Sequence, residues 1–573
     1  MRACALVLVA VAVTACARAG TSPRAASGPD SLTLVVAGTT DVHGWLRGWD
    51  YFANAPDTTR GLTRVATIMD SLRSANPDRV LLVDAGDLLS GAPVTSIALR
   101  DSLGLNPIIA TMNAMAYDAS VIGNHEFNYG RRYLGRAINQ ARFPFLAANA
   151  FTPSGMHAYV PWTLVTRSGV RVGIVGGTTP GSMIWDRDKL AGQVVIRDIV
   201  PSVRDAVAEA RSKGADVVVV LLHSGFNEPS SYDTAATGLP SENVAARVAR
   251  EVPGVDLVVF GHSHRELPDT VIGTTLVTQP RNWAGSVSVS RLSLQRRRSG
   301  WSVVARRGGV IRARGHAEQP ALLAITADVH RRTQEFVRTP LGTTAVAWDA
   351  DSARVMDTPI IDFILEVERR VSGADLASVA AFNLNARFGP GPISIANVAE
   401  LYPFENNVLR AVRLSGKQLR EYLEFSARYF RERASGDSLI DGGVPGYNYD
   451  IVAGVDYVLD ISKPIGSRVT TLARNGRPVQ DTDSFTMALH DYRQQGGGGF
   501  AMIQGAPVVY DKQETIRQLL IDEVRRRGTL RPEDYFTKNW RLAPDSIVGP
   551  AYRAMRRGSF DRPLPPAAPA RSP

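Results

Sequence analysis

Cysteine is almost absent from this chain. Its 573 residues hold two, Cys4 and Cys16, both near the N-terminus. That excludes a disulfide framework and a thiolate metal site from the rest of the sequence. Long apolar runs are equally scarce. Ala3 to Ala15 is the one extended stretch, too short to cross a bilayer, and the later runs have strand length, so no transmembrane helix is expected. The formal net charge of +10 comes mostly from arginine, but the basic residues form no stripe, which argues against a nucleic-acid polymer as partner. The run Arg296-Arg297-Arg298 reads as a hairpin turn. There is no internal repeat.

The apolar stretch after Arg2 ends in small residues, the pattern of a secretory signal. Val13-Thr14-Ala15-Cys16 has the form of a bacterial lipobox, with Cys16 as the lipidated residue; cleavage after Ala17-Arg18-Ala19 is the rival reading. Residues up to Asp30, rich in Ala, Ser, Gly and Pro, read as a tether. The expectation is an exported monomer in the periplasm or cell envelope, held at the membrane by a lipid anchor.

With 573 residues, two folded units are expected. From Ser31, β-rich runs alternate with helical stretches: Leu32–Ala37, Val80–Val83, Ala119–Ile122, Val172–Val175, Val217–Leu222 and Leu257–Phe260. This is α/β wiring over residues 31–315. A linking helix follows in 316–340, read as Gln319 to Val337. A second unit, 341–545, mixes strand pairs with helices over Thr358–Val371, Lys417–Arg433 and Lys512–Arg527. The tail, 546–573, reads as disordered.

Five of the six runs end in polar clusters: Thr40-Asp41-Val42-His43-Gly44, Asp84-Ala85-Gly86-Asp87, Gly123-Asn124-His125-Glu126, His223-Ser224-Gly225 and Gly261-His262-Ser263-His264. Ligands of α/β sheets gather outside the carboxyl ends of strands, so five such ends can meet in one place. Singly, an Asp-x-His pair suits a turn and a lone His suits a core. Together they hold five of the nine histidines, which packing alone does not call for. Imidazole, carboxylate and amide donors without thiolate suit Mn, Zn, Fe or Co, and two such ions sharing one carboxylate would activate a hydroxide for in-line attack on phosphorus.

The ordered set Asp41-x-His43, Gly86-Asp87, Gly123-Asn124-His125-Glu126, His223 and Gly261-His262-x-His264 resembles the calcineurin-like metallophosphoesterases. Followed by a second domain, it resembles their 5'-nucleotidase family, which includes the 2',3'-cyclic-nucleotide 2'-phosphodiesterase/3'-nucleotidases. The resemblance implies an N-terminal metallophosphoesterase β-sandwich flanked by helices and a C-terminal α+β substrate domain. It implies Asp41, His43 and His264 on one metal, Asn124, His223 and His262 on the second, and Asp87 as the bridge. His125 would act on the phosphoryl group or the leaving alkoxide, oriented by Asn128 where many 5'-nucleotidases carry Asp. An amide can bond the imidazole but cannot stabilise imidazolium by charge.

In that family the second domain sandwiches the base between two aromatic rings. The matching segments point to Tyr449 and Phe500, with Tyr447 as the competitor, and to Asn383, Asn385 and Arg387 as polar contacts. Glu126-Phe127-Asn128-Tyr129-Gly130 and Asp491-Tyr492-Arg493 resemble the cyclic phosphodiesterase branch. The implied activity is that of a 2',3'-cyclic-nucleotide 2'-phosphodiesterase with 3'-nucleotidase activity in nucleotide salvage. The alternatives are a 5'-nucleotidase or nucleotide-sugar hydrolase on the same scaffold, and a non-catalytic nucleotide-binding surface protein.

Overall fold

The computed structural model describes residues 30–101, 104–232, 234–298, 300–432 and 439–557. The signal, the tether up to residue 29, Cys16 and the tail beyond residue 557 lie outside the described residues.

The strands of the first half are apolar at consecutive positions because each has a packed layer on both faces. In strand Ser31–Thr39, Leu34 and Val36 join one core cluster, while Val35 and Ala37 join another against helix Leu62–Ala75. Strand Val217–His223 divides the same way. Val217, Val219 and Leu221 meet Leu34 and Val36, whereas Val218, Val220 and Leu222 pack on helix Ile199–Ser212. The period of two thus builds two sheets face to face, of seven and six strands, with helices outside each. Each fully buried Val or Leu contributes about 1.5–3 kcal/mol of transfer free energy.

Within the first sheet, Ser31–Thr39, Val80–Asp84 and Ala119–Val121 run parallel. Within the second, Val170–Thr178, Val217–His223 and Leu257–Phe260 do so. Thr39 lies opposite Asp84 in the register, so the residues that follow these strands leave the sheet at one level. Strands Ser286–Arg297 and Gly300–Arg307 pair antiparallel, which puts the arginine run at a hairpin end.

The second half is α+β. A five-stranded sheet, ordered Asp450–Ala453, Leu376–Ala380, Ser484–His490, Val408–Ser415 and Val508–Thr515, shares one core with a four-stranded sheet built around Asp456–Asp460. Helix Pro359–Ser372 packs Ile360, Phe363, Ile364 and Val367 into that core and stops at the left-handed Gly373.

Four sequence expectations change. The linking helix is two helices, Pro320–Ile325 and Ala327–Val337, broken at Thr326. Gln319 caps the first, and the Thr326 hydroxyl donates to Leu322 while accepting from Arg47. Both helices lie on the first half, with Leu322, Val329 and Val337 buried there. Residues Val508–Thr515 form an edge strand, so the helix expected from Lys512 begins at Ile516; the Val-Val-Tyr run favours the extended form. The helix expected over Lys417–Arg433 runs from Gly416 to Ser426 and closes in a 3-10 turn, and Arg433 is outside the described residues. The tail expected to be disordered from residue 546 begins with a helix, Val548–Arg557, whose Ala551 is fully buried. Among the described residues no helix is long and apolar enough to cross a membrane.

Candidate metal centre

The five strand ends meet. Asp41, His43 and His264 form one group of converging donors, and Asp87, His223 and His262 form another. Asp87 stands between them: its Oδ2 is 3.0 Å from Nε2 of His223 and 3.8 Å from Nε2 of His43. Asn124 Oδ1 lies 3.1 Å from the same His223 nitrogen. Asp41, Asp87 and His223 are buried, and His264 is the exposed member.

The local backbone is bent to deliver them. Asp41, His43, Asp87, His262 and His264 all have φ between 47° and 74°, a region costly for residues with a Cβ and characteristic of functional sites. Two glycines allow the close packing this needs. A Cβ on Gly123 would lie 2.2 Å from Asp87 Oδ1, and one on Gly261 would lie 1.9 Å from Thr40 Oγ1. Glu126 holds the Asp87 turn from behind, accepting from the backbone N–H groups of Gly123, Asp87, Leu88 and Leu89 at 2.6–3.1 Å.

The donor chemistry fits cations. His43 Nδ1 donates to the Ser90 carbonyl at 2.6 Å, and His223 Nδ1 donates to the Ala85 carbonyl at 2.8 Å. Each ring therefore turns its other nitrogen, a lone pair when neutral, toward the Asp87 carboxylate and further acceptors. His43 Nε2 also faces His264 Nε2 at 3.1 Å. Such a set is mutually repulsive unless a proton or a metal ion lies between its members. The protonation preferences agree. Burial alone would raise Asp41, but His264 and His223 bring it down to about 2. Burial would raise Asp87 too, yet His223, His125 and His43 hold it well below the usual range. Burial, helped by His125, lowers His43 to about 4, which keeps it neutral as a ligand must be. Against its burial, Asp87 raises His223 to about 10, so this ring holds a proton where a cation would otherwise serve.

The first half, residues 34–266, matches the calcineurin-like phosphoesterase family, and residues 340–505 match the 5'-nucleotidase C-terminal domain. A 2',3'-cyclic-nucleotide 2'-phosphodiesterase/3'-nucleotidase of Haemophilus influenzae is 30% identical over 91% of this chain and 89% of its own length. The chain belongs to the 5'-nucleotidase family of calcineurin-like metallophosphoesterases. It is a metal-dependent phosphoric ester hydrolase. A trifunctional nucleotide phosphoesterase protein of Bacillus subtilis is 29% identical over 91% of the chain, which spans 39% of that longer protein. The crystal structure of a candidate 5'-nucleotidase from Staphylococcus aureus, in complex with α-ketoglutarate, shares the fold at a TM-score of 0.76, with 24% identity, 89% of this chain and 100% of that one covered.

For this nucleotidase-family chain the expected base-stacking pair needs correction. Phe500 is wholly buried, with Tyr422 and Phe425 against it at ring distances of 4.5 and 4.7 Å and the Arg493 guanidinium over it at 4.0 Å. Tyr449 is 1% exposed and stacked on Tyr429. Neither ring has a face open to a ligand. The rings that border the histidine cluster are others. His262, Trp185, Tyr492 and His490 form a continuous stack across the two halves, with steps of 5.6, 6.3 and 5.8 Å. Tyr447 is 47% exposed, and its phenol has Glu242, Arg493 and Arg265 as charged neighbours. Asn383 closes a turn, accepting from the Asn385 N–H and donating to the Glu400 carbonyl. Arg387 is an exposed edge residue 3.8 Å from Asp349. Among the described contacts, neither touches the histidine cluster.

Sequence reasoning also missed Glu242 and Asp186. Glu242 takes the His262 Nε2 hydrogen bond at 2.6 Å, which leaves Nδ1 of that ring as its free donor atom. Asp186 lies behind Asn128. Neither belongs to a strand-end motif, so no pattern marked them.

Proposed function

We propose that this enzyme is a 2',3'-cyclic-nucleotide 2'-phosphodiesterase with 3'-nucleotidase activity. The carrying observation is the shared Asp87 between two converging donor groups, combined with the full-length likeness to the Haemophilus protein of that name. The division of labour follows the chain: residues 31–315 hold the chemistry and 341–545 the substrate.

Asp41, His43 and His264 would hold one cation, Asn124, His223 and His262 a second, and Asp87 both. Bound there, divalent ions supply Lewis-acid charge against the phosphoryl oxygens and acidify a water. The residues do the rest. Water oxygen adds to phosphorus and releases one proton to solvent, the ester P–O bond breaks with its electron pair going to the leaving oxygen, and that oxygen takes a proton from His125, which solvent then restores. The backbone N–H of His125 donates to Asp87 Oδ1 at 2.9 Å, which ties the proton donor to the shared ligand. Tyr492 and Tyr447 would receive the base, replacing Tyr449 and Phe500 in that role. Export to the periplasm or envelope, lipidation at Cys16 and a salvage role remain part of the proposal, and the enzyme acts as a monomer on free nucleotides.

The test is phosphate release from 3'-AMP and 5'-AMP side by side with Mn²⁺, with a chelator control. Faster release from 3'-AMP is expected, then turnover of the 2',3'-cyclic nucleotide. Faster release from 5'-AMP would move the chain to the 5'-nucleotidase branch. Asp87→Ala should cost at least about a thousandfold in kcat with the circular dichroism spectrum retained.

A further inference from the structure

His125 Nδ1 lies 2.6 Å from Asn128 Oδ1, and Asn128 Nδ2 lies 3.3 and 3.2 Å from the two carboxylate oxygens of Asp186. Asn128 and Asp186 are both buried, at 5% and 1% exposure, so water does not compete for these bonds. An amide is two-faced: it can offer either oxygen or N–H₂ to an imidazole. A carboxylate only accepts, so Asp186 selects the N–H₂ end for itself and turns the amide oxygen to His125. That oxygen in turn requires an N–H at Nδ1. With Nδ1 bonded to the amide, Nε2 is the nitrogen turned toward Asp87, 4.0 Å from its Oδ2, and the Asp186 carboxylate lies one residue further back. The reversed amide would press its N–H₂ against the Nδ1 N–H and lose that orientation. Lys189, 3.2 Å from Asp186, keeps the carboxylate in place from its other side.

We infer that Asp186 is a positioning residue that acts through Asn128 to hold His125 as the proton donor to the leaving oxygen. The inference rests on the reading of His125 given above. It moves the carboxylate that an Asp at position 128 would supply to a second position in space, reached through an amide.

A leaving-group comparison tests it. A nucleoside alkoxide needs a proton as the ester bond breaks, whereas p-nitrophenolate leaves without one. Turnover is therefore measured on the faster of 3'-AMP and 5'-AMP and on p-nitrophenyl phosphate, for wild type, His125→Ala, Asp186→Ala, and the exchange variant Asn128→Asp with Asp186→Asn. Metal content of each protein is determined in parallel. Asp186→Ala is expected to lose about a hundredfold in kcat on the nucleotide, with KM, metal content and p-nitrophenyl phosphate turnover near wild type. The exchange variant, with its carboxylate directly on His125, is expected to recover most of the nucleotide rate. Equal losses on both substrates in Asp186→Ala, lost metal, or no loss on either would overturn the inference. Should His125→Ala be selective and Asp186→Ala not, only the role of Asp186 falls. Should His125→Ala lose both substrates alike, the reading of His125 as proton donor falls and takes the inference with it.

Discussion

At the level of single residues, the proposed substrate contact and a packing residue lie close together in sequence. Tyr492 and Phe500 both come from the Asp491–Phe500 segment, and exposure alone tells them apart. Arg493 is the post around which that segment is built. Its guanidinium bonds Asp450, Asn448 and the carbonyls of Tyr447 and Gly497, and lies over Phe500. Tyr492→Ala should therefore raise KM for nucleotides by about 1–3 kcal/mol of lost stacking and leave p-nitrophenyl phosphate turnover unchanged. Phe500→Ala should destabilise the protein by about 3–5 kcal/mol, read as a lower unfolding midpoint, and lower activity on both substrates alike. Equal KM effects from the two variants would refute this split. The converging donor residues were legible in sequence because each follows a strand of recognisable pattern. The proposed base platform was not, since an aromatic in a loop looks the same whether it packs or stacks. Asp186 and Glu242 stand in ordinary loop sequence and become visible only through the rings they hold.

At the scale of elements, the sheet ends place the chemistry, and small residues at those ends set its tolerances. Gly261 follows strand Leu257–Phe260, and a methyl there would meet Thr40 Oγ1 at 1.9 Å and Asp41 Oδ2 at 2.7 Å. Gly261→Ala should displace Asp41, lower metal content and cost about a hundredfold in turnover, with the fold kept. A variant with full metal content and full turnover would contradict the placement. Helix Pro359–Ser372 carries a different liability. Asp362, 3% exposed, accepts one backbone bond from Thr537, and its Oδ1 has no partner. Burial, then Asp357 beside it, push its carboxyl up to about 8. Below pH 4 both folded and unfolded chains hold this proton. Between about pH 4 and 8 only the folded chain does, and deprotonation of the unfolded chain draws the equilibrium away from the native state. Stability should thus fall as pH rises through this window. Asp362→Asn keeps the acceptor for Thr537, so it should match wild type at pH 4 and be the more stable protein at pH 8. A variant that follows the wild-type pH curve would rule out Asp362 as the source. The strands and most helices were readable from periodicity. Helix starts near Lys512 and breaks such as Thr326 were not, because they depend on pairing and side-chain capping at a distance.

The whole molecule brings its two halves together at the chemistry. Ser96 bonds Glu405, Arg410 of the second half reaches Asp188 of the first, and Trp185 lies against Tyr492. In the described arrangement Tyr492 has His490 stacked on it at 5.8 Å and Trp185 tilted against it at 6.3 Å between ring centres. A planar base needs about 3.5 Å from each neighbour, so no base can enter between these rings as they stand. If Tyr492 receives the base as proposed, nucleotide uptake requires the halves to move apart. Because the two native cysteines both lie among the first 16 residues, Ser96→Cys with Glu405→Cys introduces a pair across the interface that can be oxidised and reduced at will. The oxidised protein should turn over nucleotides at least about tenfold more slowly, with activity restored by reductant, while each single variant shows no such response. Metal content should be the same in both redox states, which separates a domain lock from damage to the metal site. Full turnover in the oxidised state, with the disulfide verified by mass, would show that substrate enters without separating Trp185 from Tyr492, and would remove Tyr492 as the surface that receives the base.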